Sequence, residues 1–324
     1  NTDFGGLRSL IERAGICVRG RKAVILGSGG TSLTARAVCA ALGARETVVI
    51  SRGGPVTYEA LYRDHADAQV LINATPVGMY PDTQACPAQL ARLEALEGVV
   101  DVIYNPDRTA LVQQAQARGI PATGGLWMLV KQACLASEKF FDSPVPPGKD
   151  AQIYADLRAE RLNLVLAGMP GSGKTTLGRA LARRMGRPFV DCDEEIERSA
   201  GMSVAQIFAS QGEQAFRALE SETLMRLGRE SGMVIATGGG APLRAENVRA
   251  MRQNGVVLRV ERPVELLATD ARPLSAGGRE RLRCMEAERE PFYAACADAR
   301  VDNSQSIEGA IESAFRAFDE IARR

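Results

Sequence analysis

Residues Gly168 to Thr175 read GMPGSGKT and fit the pattern G-x-x-x-x-G-K-[ST]. Such a run does one kind of chemistry. Its glycines let successive backbone N–H groups close on a phosphate at the start of a helix, where the helix dipole favours negative charge. The context agrees on both sides: the apolar run LNLVLA precedes the loop, and TTLGRALARRM, which reads as a helix, follows it. Gly171, Ser172, Gly173, Lys174, Thr175 and Thr176 would cradle a nucleotide. Lys174 would reach the β- and γ-phosphates of ATP, and the Thr175 hydroxyl would bind Mg²⁺. A structural glycine-rich turn would not explain the Lys–Thr pair.

Further chemistry-bearing residues follow the loop. The stretch VDCDEE ends a strand with Asp191 and Asp193, two acids suited to water-mediated Mg²⁺ contact and to positioning a hydroxyl nucleophile. The plainer reading of Asp193 is a helix cap for EEIERSAG. In GEQAFRALE, Arg217 and Glu220 stand three apart on one helical face, so the acid can hold the guanidinium, although such a pair by itself is usually a solvated face. ATGGGAP offers the bare backbone of Gly238, Gly239 and Gly240 to a small ligand. ARPLSAGGRERL is a basic stretch with Gly277 and Gly278, a plausible lid, and EREPFY adds Arg289.

The first half carries a different glycine loop. VILGSGGTSLTARA reads as strand, turn and helix, with Gly27, Ser28, Gly29, Gly30 and Thr31 in the turn. Strict G-x-G-x-x-G fails, because Ser32 stands where the third glycine would be. The next strand ends in Ser51 and Arg52, where an NAD site would place an acid for the ribose 2′-hydroxyl. A cation without an acid fits a 2′-phosphate, so the reading is NADP(H).

The elements that position these residues alternate between strand and helix. KAVILG, ETVVIS, QVLINAT and GVVDVIY read as strands in the first half; LNLVLAG, RPFVDCD, GMVIATGG and GVVLRVE do so in the second. Short β-branched runs separated by helical patterns imply α/β units with parallel sheets, whose ligands bind beyond the carboxyl ends of the strands. The proline-rich run FFDSPVPPGKD marks the boundary, giving a Rossmann-like NADP-binding domain at 1–142, a linker and short helix at 143–160, and a P-loop kinase domain at 161–324. The chain opens on Asn1, Thr2 and Asp3 directly before a helical run, which places an Asp at the helix cap.

Taken together, the second half resembles the shikimate kinase family over residues 161–322: the P-loop, D-x-D, G-E-x-x-F-R-x-x-E, the triple glycine, R-P-L and R-x-P-x-Y occur in order. The resemblance implies that Asp193 holds and helps deprotonate the accepting hydroxyl of shikimate. It implies that Arg217 and Arg289 hold the carboxylate, that the Gly239 backbone touches substrate, that Arg272 closes over the transferring phosphate, and that Asp191 acts near Mg²⁺. A small anionic polyol needs such guanidinium forks for its carboxylate. The lid departs from the family at RPLSAGG, where a second leucine is common.

The first half, with NTD, LGSGG, NATPVGM, DVIYNPDRTALVQQAQARG and GGLWMLVKQA, is similar to the NADP-binding part of shikimate dehydrogenase. That likeness implies substrate contacts to shikimate or 3-dehydroshikimate from Thr2, Asp3, Tyr104 and Gln132, with Asp3 the acid of a Lys–Asp catalytic pair. It also implies an NADP site at Gly27 to Thr31, Ser51, Arg52, Val102 and Gly125. By periodicity alone GGLWMLVKQACL is mostly a core helix, and Gln132 would mean little. In that family N-T-D follows an N-terminal substrate domain that carries the lysine. The expectation is therefore a chain that opens at a cut edge, phosphorylates shikimate and does not oxidise it. Lys22 is no replacement, because it opens the strand leading to the phosphate loop.

Composition narrows the partners. The chain has 324 residues, 45% hydrophobic and 24% charged, with formal net charge +1, so no field points to nucleic acid or an anionic membrane. No apolar run approaches the ~18 residues of a membrane span. Seven scattered cysteines without a C-x-x-C pair are the usage of reduced thiols in a cytoplasmic protein. His65 is the only histidine, which argues against His-based acid–base catalysis. Two other readings remain: a related small-molecule P-loop kinase, such as one acting on gluconate, and a kinase beside a non-catalytic NADP-binding module. Arg217, Arg289 and the triple glycine argue against the first.

Overall fold

The run KAVIL forms β1 (Lys22–Leu26), and all of it is buried, as a continuous apolar run is in a parallel sheet covered on both faces. In the computed structural model, which describes residues 1–267 and 278–324, this strand lies inside a parallel sheet of order β2-β1-β3-β4-β5. It pairs with β2 (Glu46–Ile50) and β3 (Val70–Asn73); β4 (Gly98–Asp101) follows beside β3, and β5 (Ala122–Thr123) beside β4. Alternate residues of β1 feed two cores. Ala23 and Ile25 pack with Leu7, Leu10 and Ile11 of α1 (Thr2–Arg13), Val38 of α2 (Gly30–Ala41) and Trp127 of α5 (Leu126–Phe141). Val24 and Leu26 pack on the opposite face with Leu61 of α3 (Tyr58–Asp64) and with Leu111 and Ala115 of α4 (Ala110–Ala117). This unit, Asn1–Asp156, is Rossmann-like.

The second unit, Leu157–Arg324, begins inside α6 (Lys149–Arg161), the helix after the proline-rich run. Its sheet has the order β10-β9-β6-β8-β7, again all parallel: β6 (Asn163–Ala167), β7 (Phe189–Asp191), β8 (Val234–Ala236), β9 (Gly255–Glu261) and β10 (Ala299–Asp302). Leu164 and Leu166 of β6 pack with Leu177 and Leu181 of α7 (Lys174–Met185) and Phe318 of α12 (Ile307–Ala322). Val165 and Ala167 pack on the other face with Leu224 of α9 (Val204–Leu227) and Met251 of α10 (Ala245–Gln253). The chain runs from β6 out to β7, back to β8, then across β6 to β9. The crevice where the order reverses therefore opens at the carboxyl end of β6.

Two strands and one cap differ from the sequence reading. β5 and β10 sit at sheet edges, one only two residues long and the other, ARVD, with two charges, so neither carries a buried-strand pattern. The cap of α1 is Asn1, whose side chain accepts from the N–H of Asp3 at 2.8 Å and of Phe4 at 3.4 Å; Asp3 lies in the first turn. Among the described residues no helix is long and apolar enough to cross a membrane.

Candidate active site

The phosphate loop sits where β6 ends. Gly173 caps α7 at φ 92°, a left-handed conformation open to glycine. Lys174 is buried, and its Nζ donates to the carbonyls of Gly168 and Met169, each at 2.8 Å. Across the crevice, Thr175 Oγ1 donates to Asp191 Oδ2 at 2.6 Å. The other oxygen of Asp191 accepts from the N–H of Asp193 at 3.0 Å, so Asp191, and not Asp193, caps α8 (Cys192–Ala200). A hydroxyl and a carboxylate already in contact suit Mg²⁺, which takes one or two protein oxygens and leaves its other positions to water and nucleotide phosphates. Among the described residues no group of three His, Cys, Asp or Glu is placed to hold a metal ion.

Beside the loop lies a cavity of about 470 Å³ whose walls include Asp193, Phe216, Arg217, Glu220 and Gly238 to Gly240. A second cavity, about 190 Å³, is lined by the phosphate loop and Lys174. Thr175, Asp191, Asp193 and Gly239 line both, so the two cavities meet at these four residues. Helix α9 breaks at Gly212 (φ 81°, ψ 172°), and the segment after the break presents Arg217 and Glu220. Arg217 Nη1 donates to Glu220 Oε2 at 2.9 Å, and Nη2 to Glu213 Oε1 at 3.2 Å. Burial works against the Arg217 charge, but Glu220 and Glu213 more than offset it and keep the guanidinium charged. Burial pushes the Glu220 carboxyl up, and Arg217 opposes that rise. Its second oxygen, Oε1, is buried and has no hydrogen-bond partner.

The three glycines admit neighbouring side chains. A Cβ on Gly238 would lie 2.4 Å from Glu220 Oε1, one on Gly239 2.7 Å from the Pro170 ring, and one on Gly240 2.3 Å from Arg217 Nη1. The sequence offers this backbone to a small ligand; the structure also packs it against Glu220, Pro170 and Arg217. Helix α11 (Gly278–Cys296) approaches from the other side: Arg289 Nη1 donates to the Gly239 carbonyl at 3.0 Å, and the Tyr293 hydroxyl donates to the same oxygen at 2.6 Å. Arg289 is thus engaged with the glycine loop and is not among the described residues lining the larger cavity, which Arg217 does line. Tyr293 closes the R-x-P-x-Y motif of the sequence, which by itself gives it no role. Its signal was the i,i+4 spacing from Arg289, which places both on one helical face. Burial raises its phenol to about 12, which keeps it protonated as a donor. Arg272 and Gly277 lie outside the described residues.

In the first unit the expected cofactor residues all fall at carboxyl ends of parallel strands: Gly27 to Thr31 after β1, Ser51 and Arg52 after β2, Val102 after β4, and Gly125 after β5. Gly27 (φ 103°) packs against the loop after β3, where a Cβ would come within 3.0 Å of the Ala74 carbonyl. Gly125 packs on Val102, whose carbonyl oxygen would lie 2.0 Å from a Cβ there. Arg52 is exposed and Ser51 buried. Asp3 accepts a hydrogen bond from Gln132 Nε2, so two of the substrate-side candidates meet; Thr2 adjoins them on α1, and Tyr104 is exposed in the loop after β4. Lys22 lies at the opposite end of β1, paired with Asp67 at 2.8 Å and Glu46 at 3.6 Å. The sequence reading passed over Asp101. It is fully buried at the end of β4 and accepts from Asn73 Nδ2, the Ile103 N–H and Thr109 Oγ1, which ties together the loops after β3 and β4.

Fold and site define the second unit as a P-loop phosphotransferase with an acceptor pocket of small-molecule size. Residues 170–321 match the family model described as shikimate kinase. The shikimate kinase of Symbiobacterium thermophilum is 47% identical over 149 residues, 43% of this chain and 86% of that protein. Through its second unit the chain belongs to the shikimate kinase family. Similar solved structures include a shikimate kinase from Acinetobacter baumannii in complex with shikimate (34% identity, 52% of this chain and 96% of that one, TM-score 0.47). They also include shikimate dehydrogenase 1 from Peptoclostridium difficile (34% identity, 49% of this chain and 62% of that one, TM-score 0.46).

Proposed function

We propose that the second unit transfers the γ-phosphoryl group of ATP to a hydroxyl of shikimate through the residues described above. The observation that carries this is the meeting of a phosphate-loop cavity and an acceptor cavity at Thr175, Asp191, Asp193 and Gly239. Lys174 exchanges its two carbonyl partners for phosphate oxygens. Arg217, held charged by Glu220, takes one face of the substrate carboxylate, and Arg289 is the second arm of that clamp. Asp193 orients the accepting hydroxyl and receives its proton as the oxygen–phosphorus bond forms and the bond to ADP breaks. Mg²⁺ at Thr175 and Asp191, when bound, supplies neutralisation of the phosphate charge. The test is ADP release that depends on added shikimate; hydrolysis of ATP at the same rate without it would defeat the reading.

The first unit is, on this proposal, the NADP(H)-binding part of a shikimate dehydrogenase. The convergence of the four cofactor segments at strand carboxyl ends supports it, as does the Asp3–Gln132 contact. Asp3, Thr2, Tyr104 and Gln132 form the substrate side and Gly27 to Thr31, Ser51, Arg52, Val102 and Gly125 the cofactor side. Titration with NADPH and NADH tests the assignment, with tighter binding of NADPH expected and equal binding contradicting it.

A further inference from the structure

The smaller cavity has a wall that the P-loop motif does not account for. Strand β9 lies next to β6, so its carboxyl end adjoins the phosphate loop: a Cβ on Gly168 would come 2.5 Å from the carbonyl of Val260. The residue just past β9 is Arg262, which lines the cavity together with Gly171, Gly173 and Lys174. Its Nη1 would lie 3.9 Å from a Cβ on Gly173, at the mouth of the loop.

Arg262 differs from the other arginine of this strand. Arg259 is paired with Glu261 at 3.1 Å and holds Glu290 of α11 with both Nη atoms. Glu261, the sequence neighbour of Arg262, is taken by Arg259 and by Arg300 at 3.7 Å. Among the described residues no carboxylate pairs with Arg262, and its Nε is buried without a hydrogen-bond partner. Withdrawing a guanidinium N–H from water without an acceptor is unfavourable, and an anion in the cavity would offset that cost. Asn303 fixes the surroundings, because its Nδ2 donates to the Ser172 carbonyl at 2.8 Å and its N–H to the carbonyl of Glu261 at 2.8 Å. The end of β9 is thereby tied to the loop that Arg262 faces.

We propose that Arg262 is a nucleotide-binding residue, a second fixed cation at the P-loop that contacts the polyphosphate of a nucleoside triphosphate. This rests on the kinase reading of the second unit. The test is calorimetric titration of the full chain and of its R262M and R262K variants with ADP, inorganic tripolyphosphate and adenosine, beside the KM for shikimate and the Tm. R262M should weaken ADP and tripolyphosphate by roughly 10- to 150-fold. R262K should weaken them less, since an ammonium keeps the charge and loses the fork. Shikimate KM, Tm and adenosine affinity should stay as in the wild type. Unchanged tripolyphosphate binding by R262M overturns the proposal, including where ADP alone weakens, because that pattern assigns Arg262 to the base. A fall in Tm with a matching rise in shikimate KM also overturns it, as a structural role. A wild-type chain that binds neither ADP nor tripolyphosphate overturns the kinase reading itself, a distinguishable result.

Discussion

Arg217 shows how much of a site can rest on one side chain. Its guanidinium lies against Gly240, is held by Glu220 and Glu213, and faces the cavity beside Asp193. Arg217→Ala should raise the KM for shikimate far more than that for ATP. It also leaves Glu220 buried without its partner, a change that commonly costs about 3–5 kcal/mol, so Tm should fall as well. Arg217→Lys keeps the charge and separates the two effects: substrate affinity stays impaired while most of the stability returns. A selective loss of ATP affinity would place Arg217 on the nucleotide side. In the first unit, Arg52→Ala should weaken NADPH by roughly 10- to 150-fold and NADH little if, as proposed, the lost contact is to the 2′-phosphate. Equal loss for both would make Arg52 structural. Asp101 supplies a pH signature. Burial raises its carboxyl from the ordinary 3.8 to about 6, against the hydrogen bonds from Thr109, Ile103 and Asn73. The unfolded chain gives up this proton near 3.8 and the folded one near 6, so each step up in pH through that window favours the unfolded state. Stability should therefore lose up to about 3 kcal/mol between pH ~4 and ~6 from this group, and Asp101→Asn should remove that component from a urea-melt pH series. An unchanged pH profile would show that Asp101 does not titrate there.

At the scale of elements, the loop after β8 couples the two cavities, and its glycines can be separated. Gly240→Ala drives a methyl into the Arg217 guanidinium, so the KM for shikimate should rise while that for ATP holds. Gly239→Ala meets Pro170, whose ring carbons lie 2.7 Å and backbone nitrogen 3.0 Å away in the phosphate loop, so both KM values should rise. The same effect from both substitutions would mean that the loop acts only as a fold element. The long strands, the helices and the phosphate loop were legible in sequence because burial on both faces and glycine spacing leave a local pattern. What was not legible depended on meetings between distant segments. Asp101 joins the end of β3 to the connection after β4, and Tyr293 of α11 reaches Gly239 across 54 residues of chain. Arg289, expected from sequence as a substrate ligand, also serves the glycine loop through one of its nitrogens. Edge strands β5 and β10 escaped for the opposite reason, since they bury too little to mark the sequence.

At the scale of the whole molecule, each unit gathers its candidate residues at the carboxyl ends of one parallel sheet, as the topology of both sheets requires. In the second unit this brings the cation of the P-loop and the carboxylate of α8 to one place from residues 19 positions apart, Lys174 and Asp193. On the proposed function these two residues act on one transfer between ATP and shikimate. The most direct measurement is the steady-state rate of ADP release, with shikimate varied at saturating ATP, for the wild-type chain and its Lys174→Ala and Asp193→Asn variants. Saturable, shikimate-dependent turnover is expected in the wild type. Lys174→Ala should fall to background, and Asp193→Asn should lose roughly 10²- to 10⁴-fold in kcat with little change in the KM for ATP. Turnover near wild type in either variant, or wild-type ADP release that ignores shikimate, would contradict it.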